Sequence, residues 1–258
     1  MWRSVTRHFF LPDVQLRPED NTYFLTCIGR LLARKRPDVI VCGGDFADMP
    51  SLSSYDQGKK SFEGRRYRAD VECVHDGLKA LLGPLWAFNE KAKRNKEKQY
   101  FPRLVMTLGN HEDRINRAVN NDAKLDGVLS IKDLMYEEAG FETHPFLDVV
   151  VIDGVAYSHY FTTGVLGRPA TSAASMLTKK HMSCIAGHQQ GLQISTGYRA
   201  DGKRLTAVIA GSCYEHNEDY LGPQGNKHYR GALMLHDVCD GEFNLVPIPL
   251  NYILNTYG

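Results

Sequence analysis

The sequence predicts an α/β protein in which two mixed β-sheets pack as a sandwich and helices flank them. Strand and helix patterns alternate in the first half of the chain, and hairpin patterns follow in the second half. Polar clusters directly follow several apolar runs, as expected of loops at strand ends. The 258 residues, 43% of them apolar, can bury a sizeable core and contain no recognisable linker, so we expect a single domain over residues 1–258.

The first half predicts a β-α-β opening. Apolar residues recur at helical spacing over residues 23–32, and Pro37 ends this helix before the strand Val39–Cys42. A second helical pattern runs over residues 71–82. We expect Gly83-Pro84 to break this helix before the pattern resumes toward a charged end.

Strands dominate the second half. The pattern from Val149 to His159 predicts a hairpin, because its central Asp153-Gly154 is a strong signal for a two-residue turn. The other strands predicted after the helices are, in chain order, 104–108, 183–186, 205–210, 232–238 and 243–248.

Most of the functional information lies in four short motifs: Asp13-Val14-Gln15, Gly44-Asp45-Phe46-Ala47-Asp48, Gly109-Asn110-His111-Glu112 and Gly187-His188-Gln189-Gln190. Their Asp, Asn, His and Gln side chains offer oxygen or neutral nitrogen to a hard or borderline cation. Three of the four motifs directly follow an apolar run, which places them on loops at strand ends. Because such loops converge at one edge of an α/β sheet, the motifs predict one metal site.

The order of these motifs resembles the calcineurin-like metallophosphoesterases, whose pattern runs DxH, GDxxD, GNH(D/E), a lone His and GHxH. The resemblance covers roughly residues 8–190, and the lone His would be His159. It implies the same two-sheet architecture and an enzyme that hydrolyses phosphate esters with divalent metal ions. Two cations about 3.5–4 Å apart lower the pKa of a bridging water and neutralise charge during in-line displacement.

The resemblance assigns a full set of ligands to one of two metal positions. Asp45 would bridge both metals, and this position would be completed by Asn110, His159 and His188.

The other metal position departs from the family pattern. Asp13 and the bridging Asp45 are present, but Gln15 and Gln190 stand where the family has His. Amide oxygens suit Mg²⁺ or Mn²⁺ better than Zn²⁺, so we expect one or two divalent ions per chain, with weaker binding at the Gln-containing position. The alternative is that the two glutamines are polar fillers in a vacated position.

Two further residues are expected to take part in catalysis without holding metal. By resemblance, His111 would face the leaving group as a general acid or as a charge stabiliser. Asp48 would orient the His111 imidazole through a carboxylate–histidine hydrogen bond.

A basic, aromatic segment follows the second motif, in an insertion expected near residues 51–100. Its arginines are candidates for contact with phosphates, and its aromatic residues for stacking on bases. The alternative is a solvated start of a helix, because acidic residues dilute the charge. The Gly-containing loop after His159 is also expected to border the substrate. The candidate substrate-binding residues are therefore Arg65, Arg66, Arg68 and Arg168.

Three functions stay open. The preferred one is a phosphodiesterase or nuclease acting on nucleic acid or nucleotides, which the basic segment favours. The second is a phosphomonoesterase with a small or protein substrate, and the third is a catalytically silent scaffold, disfavoured because His111, Asn110 and Asp48 are all present. Protein Ser/Thr phosphatases share GNHE, but their second motif continues with a basic residue and glycine where this chain has Met49-Pro50.

Composition and charge bear on the partners and the cellular compartment of the protein. A net charge of +1 gives no general attraction to nucleic acid, and no apolar run approaches the ~20 residues of a membrane span. Charges interrupt the apolar residues of residues 1–10, so we expect no secretory signal and a cytoplasmic location, in the host cytoplasm if the chain is phage-encoded. Six widely spaced cysteines without a CxxC pair predict reduced thiols. The oligomeric state stays open.

Overall fold

The computed structural model describes residues 5–218 and 221–258. Residues 1–4, which belong to the segment 1–10 where we expect no secretory signal, lie outside the described residues. In chain order the strands are β1 (Thr6–Leu11), β2 (Val39–Cys42), β3 (Arg103–Thr107), β4 (Glu142–His144), β5 (Val150–Ile152), β6 (Val155–Ser158), β7 (Cys184–Ala186), β8 (Gln193–Tyr198), β9 (Arg204–Ile209), β10 (Gly231–Cys239) and β11 (Glu242–Pro249). The helices are α1 (Tyr23–Lys35), α2 (Tyr67–Arg94), α3 (Asp113–Asn121), α4 (Ala173–Lys180), α5 (Gly222–Gly225) and α6 (Leu250–Tyr257).

The strands form two mixed sheets. The six-stranded sheet has the order β11-β10-β1-β2-β3-β4, in which β1 to β4 run parallel and β10 pairs antiparallel with β1. The five-stranded sheet has the order β5-β6-β7-β9-β8, in which β6, β7 and β9 run parallel. Each sheet therefore presents the carboxyl ends of several parallel strands at one edge, where functional loops are commonly placed.

Alternate strand positions point to opposite layers of the fold. Phe10 and Tyr157, one from each sheet, stack with ring centroids 6.0 Å apart in the core between the sheets. The neighbouring Phe9 belongs to a second core, which the six-stranded sheet forms with α1, α2 and α6. Helix α4 covers the outer face of the five-stranded sheet. The predicted sandwich of two mixed sheets flanked by helices is confirmed.

The predicted break at Gly83-Pro84 is wrong. Helix α2 continues without interruption, with Pro84 inside it. Close packing against α1 explains the continuity, because a Cβ on Gly29 of α1 would lie only 2.3 Å from the Leu81 backbone oxygen and 2.9 Å from the Pro84 ring. The burial of α2 against α1 outweighs the roughly 3 kcal/mol that an internal proline costs a helix.

The predictions for the strands fare better. The hairpin is confirmed as β5 and β6, with Ile152 opposite Val155 across the Asp153-Gly154 turn. The five other predicted strands are confirmed as β3, β7, β9, β10 and β11, each within one residue at either end. Cys42 and Cys184 are buried in β2 and β7, and all six cysteines are free, as predicted. No described helix is both long and apolar enough to cross a bilayer.

Candidate metal centre

Loops at the carboxyl ends of five parallel strands, drawn from both sheets, form the site. Asp13, Asp45 and Asn110 follow β1, β2 and β3 of the six-stranded sheet. His159 and His188 follow β6 and β7 of the five-stranded sheet. The backbone N–H of His188 donates to Asp13 Oδ1 over 2.9 Å, so the two sheet edges are joined at the site itself.

The structure brings together the four side chains predicted to hold the complete metal position. One ligand atom from each of Asp45, His159 and His188 lies within 4.8 Å of the others. The Nε2 atom of His159 is 3.3 Å from Asp45 Oδ2 and 3.0 Å from the Asn110 Oδ1 oxygen. The His159 and His188 rings lie 5.2 Å apart, nearly perpendicular. The donor set is thus one carboxylate, one amide oxygen and two imidazoles, which fits a divalent cation.

A backbone contact sets the tautomer of His159. The ring nitrogen Nδ1 lies 2.8 Å from the Gly43 carbonyl oxygen, which can only accept, so Nδ1 carries a proton and Nε2 faces the centre. Burial alone would lower the pKa of His159, but the carboxylates of Asp45 and Asp13 raise it to about 10. Burial and the nearby His159 lower the pKa of His188 to about 4. The centre therefore has a neutral imidazole and a second one that a metal ion must deprotonate.

The buried carboxylate of Glu112 joins the second and third motifs, a role that the sequence analysis did not predict. Oε2 accepts from the backbone N–H groups of Asp45 (2.9 Å) and Gly109 (2.8 Å). Oε1 accepts from the N–H of Ala47 (3.0 Å) and from the hydroxyl of Tyr136 (3.1 Å). A Cβ on Gly109 would lie 2.0 Å from Asp45 Oδ1, so the two loops touch where GNHE begins. The only signal for this role was that Glu112 completes the GNHE motif.

The predicted Gln-containing position also has oxygen ligands available. Asp13 is fully buried, and this burial raises the pKa of its carboxyl to about 7. The Gln15 Oε1 atom is buried without a hydrogen-bond partner, an arrangement that costs about 1–3 kcal/mol unless something binds it. Gln190 lies further out, with Nε2 3.4 Å from the Tyr214 hydroxyl. Asp13 and Gln15 therefore fit a hard cation, whereas Gln190 has a polar neighbour of its own.

His111 faces the centre from the side of α3. Its Nδ1 lies 2.6 Å from Asp48 Oδ1 and 3.0 Å from the Asp48 carbonyl oxygen, so Nδ1 is the protonated nitrogen. Its Nε2 lies 3.7 Å from Asp45 Oδ2. Burial opposes charge on His111, but Asp45 and Asp48 outweigh burial and raise the pKa of the imidazole. The structure thus brings His111 and Asp48 together in the arrangement expected of them.

Arg17 stabilises the Asp48 carboxylate from the other side, and the sequence analysis did not identify it. The Arg17 guanidinium donates to Asp48 Oδ2 and to Glu218 Oε1. Glu218 in turn lies 3.0 Å from Nε2 of His216, whose Nδ1 is 3.3 Å from Asp20. Burial alone would raise the pKa of Asp48, but His111 and Arg17 hold it well below its usual range.

The four candidate substrate arginines lie outside this cluster of ligands. Arg65 donates to Asp56 Oδ2 (2.8 Å) and to the Pro50 carbonyl (3.0 Å). Arg66 donates to the carbonyl of Arg65, and Arg68 pairs with Glu72 one turn along α2 with its side chain 89% exposed. Arg168 is exposed on the loop after β6. Most of residues 51–100 is the core helix α2, so of the predicted basic segment Arg65 and Arg66 lie in the loop before α2 and Arg68 lies in the helix.

An aromatic pair, Phe146 and Tyr160, borders the centre. The Tyr160 ring lies 4.7 Å from the His188 ring and 5.5 Å from Phe146, edge to face. The Phe146 ring lies 6.1 Å from His159. Both aromatic residues are partly exposed, so they can pack against a bound molecule as well as against the histidines.

Comparisons with known proteins do not assign this chain to a family. No family model matches the chain, and no curated protein matches it. One solved crystal structure is 9% identical to this chain, covers 95% of it and 99% of its own length, and superposes with a TM-score of 0.43. A likeness at that level carries no argument about fold or function.

Proposed function

We propose that the protein is a metal-dependent hydrolase of phosphate esters, as its resemblance to the calcineurin-like metallophosphoesterases implies. The observation that supports this most is the convergence of Asp45, Asn110, His159 and His188 with the His111 imidazole directed at the same point. Divalent cations held there would supply a water of lowered pKa and would neutralise charge on the phosphoryl group. Asp13 and Gln15 would hold the second, harder cation, Mg²⁺ or Mn²⁺ rather than Zn²⁺.

The other residues of the site have separate roles in the proposed reaction. His111 presents Nε2 to the leaving-group oxygen, where it donates a proton or stabilises negative charge. Asp48 holds the other ring nitrogen and so orients the imidazole, and Arg17 keeps the Asp48 carboxylate ionised. Glu112 holds the loops that carry Asp45 and Asn110 in register. A catalytically silent scaffold has no need of this arrangement.

The substrate class that we propose is a phosphodiester with a nucleotide or nucleic-acid body. The support comes from the aromatic pair, because partly exposed rings beside a metal centre can stack on bases. The basic loop supports this less than the sequence suggested, since Arg65 is already bound by Asp56. The free, largely buried cysteines fit a reducing cytoplasm, which we propose as the compartment.

The test is hydrolysis of bis-p-nitrophenyl phosphate and p-nitrophenyl phosphate in Mn²⁺, Mg²⁺ and Zn²⁺, with chelator-treated protein as the blank. His188→Ala should abolish metal-dependent hydrolysis. His181→Asn removes an exposed histidine from the end of α4 and should match the wild type. Hydrolysis of neither ester would contradict the proposal and favour the scaffold. Hydrolysis of the monoester alone would replace a phosphodiesterase with a phosphomonoesterase.

A further inference from the structure

The Arg114 side chain, in the first turn of α3, lies against His111 and has no role in the site described so far. Its Nη1 donates to the backbone oxygens of Asp48 (2.7 Å) and Met49 (3.3 Å). These two bonds hold Nη1 of the guanidinium against the loop after β2. Its Nη2 donates one N–H to His111 Nε2 over 3.3 Å when that nitrogen is unprotonated, and the side chain is only 14% exposed.

The charge of Arg114 is poorly matched by its neighbours. Among the described residues its nearest carboxylate is Asp48, at 3.6 Å, and that carboxylate already accepts from His111 and Arg17. Arg17 by contrast has two carboxylates, Asp48 and Glu218, within hydrogen-bond distance. A largely buried cation normally pairs with an anion of its own, because leaving it unpaired is strongly unfavourable. Among the described residues Arg114 therefore shares its carboxylate partner with two other cationic side chains, and its Nη2 faces an imidazole nitrogen rather than an anion.

His111 constrains where a bound anion could reach Arg114. Nδ1 of His111 carries its proton toward Asp48, so Nε2 is the atom directed at the centre, 3.7 Å from Asp45 Oδ2. Nη2 of Arg114 lies next to the same atom. An oxygen that approaches His111 Nε2 from the centre thus also comes within reach of an Arg114 N–H.

We propose that Arg114 is a catalytic residue that donates from Nη2 to a non-bridging oxygen of the phosphoryl group, an assignment that rests on the proposed phosphoesterase function. A guanidinium held at Nη1 by backbone carbonyls can use an N–H of Nη2 for a charge-assisted bond to phosphate. Arg114 then compensates charge on the phosphoryl group, and His111 acts on the leaving group beside it. The competing explanation is that Arg114 only clamps α3 to the loop after β2.

Binding of inorganic phosphate to Mn²⁺-loaded protein, measured by calorimetry, separates the two explanations. Arg114→Met should weaken orthophosphate binding on the order of 10- to 100-fold, with Mn²⁺ content unchanged. Arg114→Lys should recover part of the affinity, because it keeps the charge but not the planar fork. The matched control is Arg199→Met, which removes an exposed arginine beyond β8 at the opposite end of the strands and should bind orthophosphate as the wild type does.

Unchanged orthophosphate affinity in Arg114→Met would overturn the inference. Arg114 would then only hold α3 against the loop after β2. If Arg114→Met fails to fold, Arg114→Lys decides, since wild-type affinity in that variant overturns the inference and a measurable loss of affinity supports it. If the wild type hydrolyses both esters while Arg114→Met binds orthophosphate normally, the role proposed for Arg114 is refuted and the proposed phosphoesterase function is not. Wild-type protein that neither hydrolyses an ester nor binds orthophosphate would refute the proposed function and this inference with it.

Discussion

Replacing Glu112 by glutamine tests whether this buried carboxylate assembles the metal centre. Three backbone N–H groups, those of Asp45, Ala47 and Gly109, and the hydroxyl of Tyr136 all donate to it. The carboxylate has no exposed surface, so water cannot replace a lost partner. The substitution keeps the shape of the side chain and changes only its charge and one of its two oxygens.

The cost of Glu112→Gln follows from these four bonds. One amide oxygen can still accept from Asp45 and Gly109, but the amide NH₂ then faces the N–H of Ala47 and leaves that donor unpaired. An unpaired buried donor costs about 1–3 kcal/mol, and the surviving bonds lose their charge assistance, so we expect the free energy of unfolding to fall by roughly 2–4 kcal/mol. Because residues that support metal ligands affect affinity, Mn²⁺ binding should weaken about 10- to 100-fold.

Urea unfolding of metal-free protein and Mn²⁺ titration of the folded protein measure the two effects separately. The matched control is Glu142→Gln, which alters an exposed carboxylate at the start of β4 that pairs with Arg103. A surface pair of this kind contributes about 0–1 kcal/mol, so the control should stay near the wild type in both assays. A Glu112→Gln protein with wild-type stability and wild-type Mn²⁺ affinity would refute the reasoning.

Three further predictions follow from the site. His111→Ala should keep its metal but lose on the order of 10²–10⁴-fold in rate for an ester with a poor leaving group and less for a p-nitrophenyl ester, and equal losses with the two leaving groups would point to another role. Gln15→His combined with Gln190→His should tighten the weaker metal position and move its preference toward Zn²⁺, because imidazole favours zinc over magnesium; equilibrium dialysis that finds no change would argue against an asymmetric centre. In metal-free protein Asp45 raises the pKa of His159 to about 10 although burial opposes this. Mn²⁺ must displace that proton, so its affinity should rise from pH 7 toward pH 10. Calorimetry in buffers of different ionisation enthalpy should detect the released proton, and pH-independent binding would contradict the assignment.

The convergence of the candidate ligands could be predicted from the sequence because each lies directly beside a strong local signal. Asp45 and Asn110 follow apolar strands within short motifs, and His159 ends a hairpin whose turn is unambiguous. Local signals of this kind place a side chain at a strand end, and parallel strands bring those ends together. The order of the motifs supplied the rest through the family resemblance.

The supporting contacts could not be predicted, because they depend on packing between distant segments. Arg17 and Glu218 are 201 residues apart in the chain, yet they meet beside Asp48. Phe146 reaches the centre from a loop after β4 that carries no motif. The continuity of α2 through Pro84 likewise depends on its partner helix rather than on local propensity.

The most direct test of the central claim is the metal content of wild type and Asp45→Asn after Mn²⁺ loading and desalting. An asparagine at this position can still accept the backbone N–H of His111 at Oδ1, 2.9 Å away. The fold should therefore survive, while the negative charge that attracts a cation is lost. Asp76→Asn on the exposed face of α2 controls for the change of charge. We predict at least one equivalent of Mn²⁺ in the wild type and the control, and little metal in Asp45→Asn. Equal metal content in all three proteins would contradict a metal centre at Asp45, Asn110, His159 and His188.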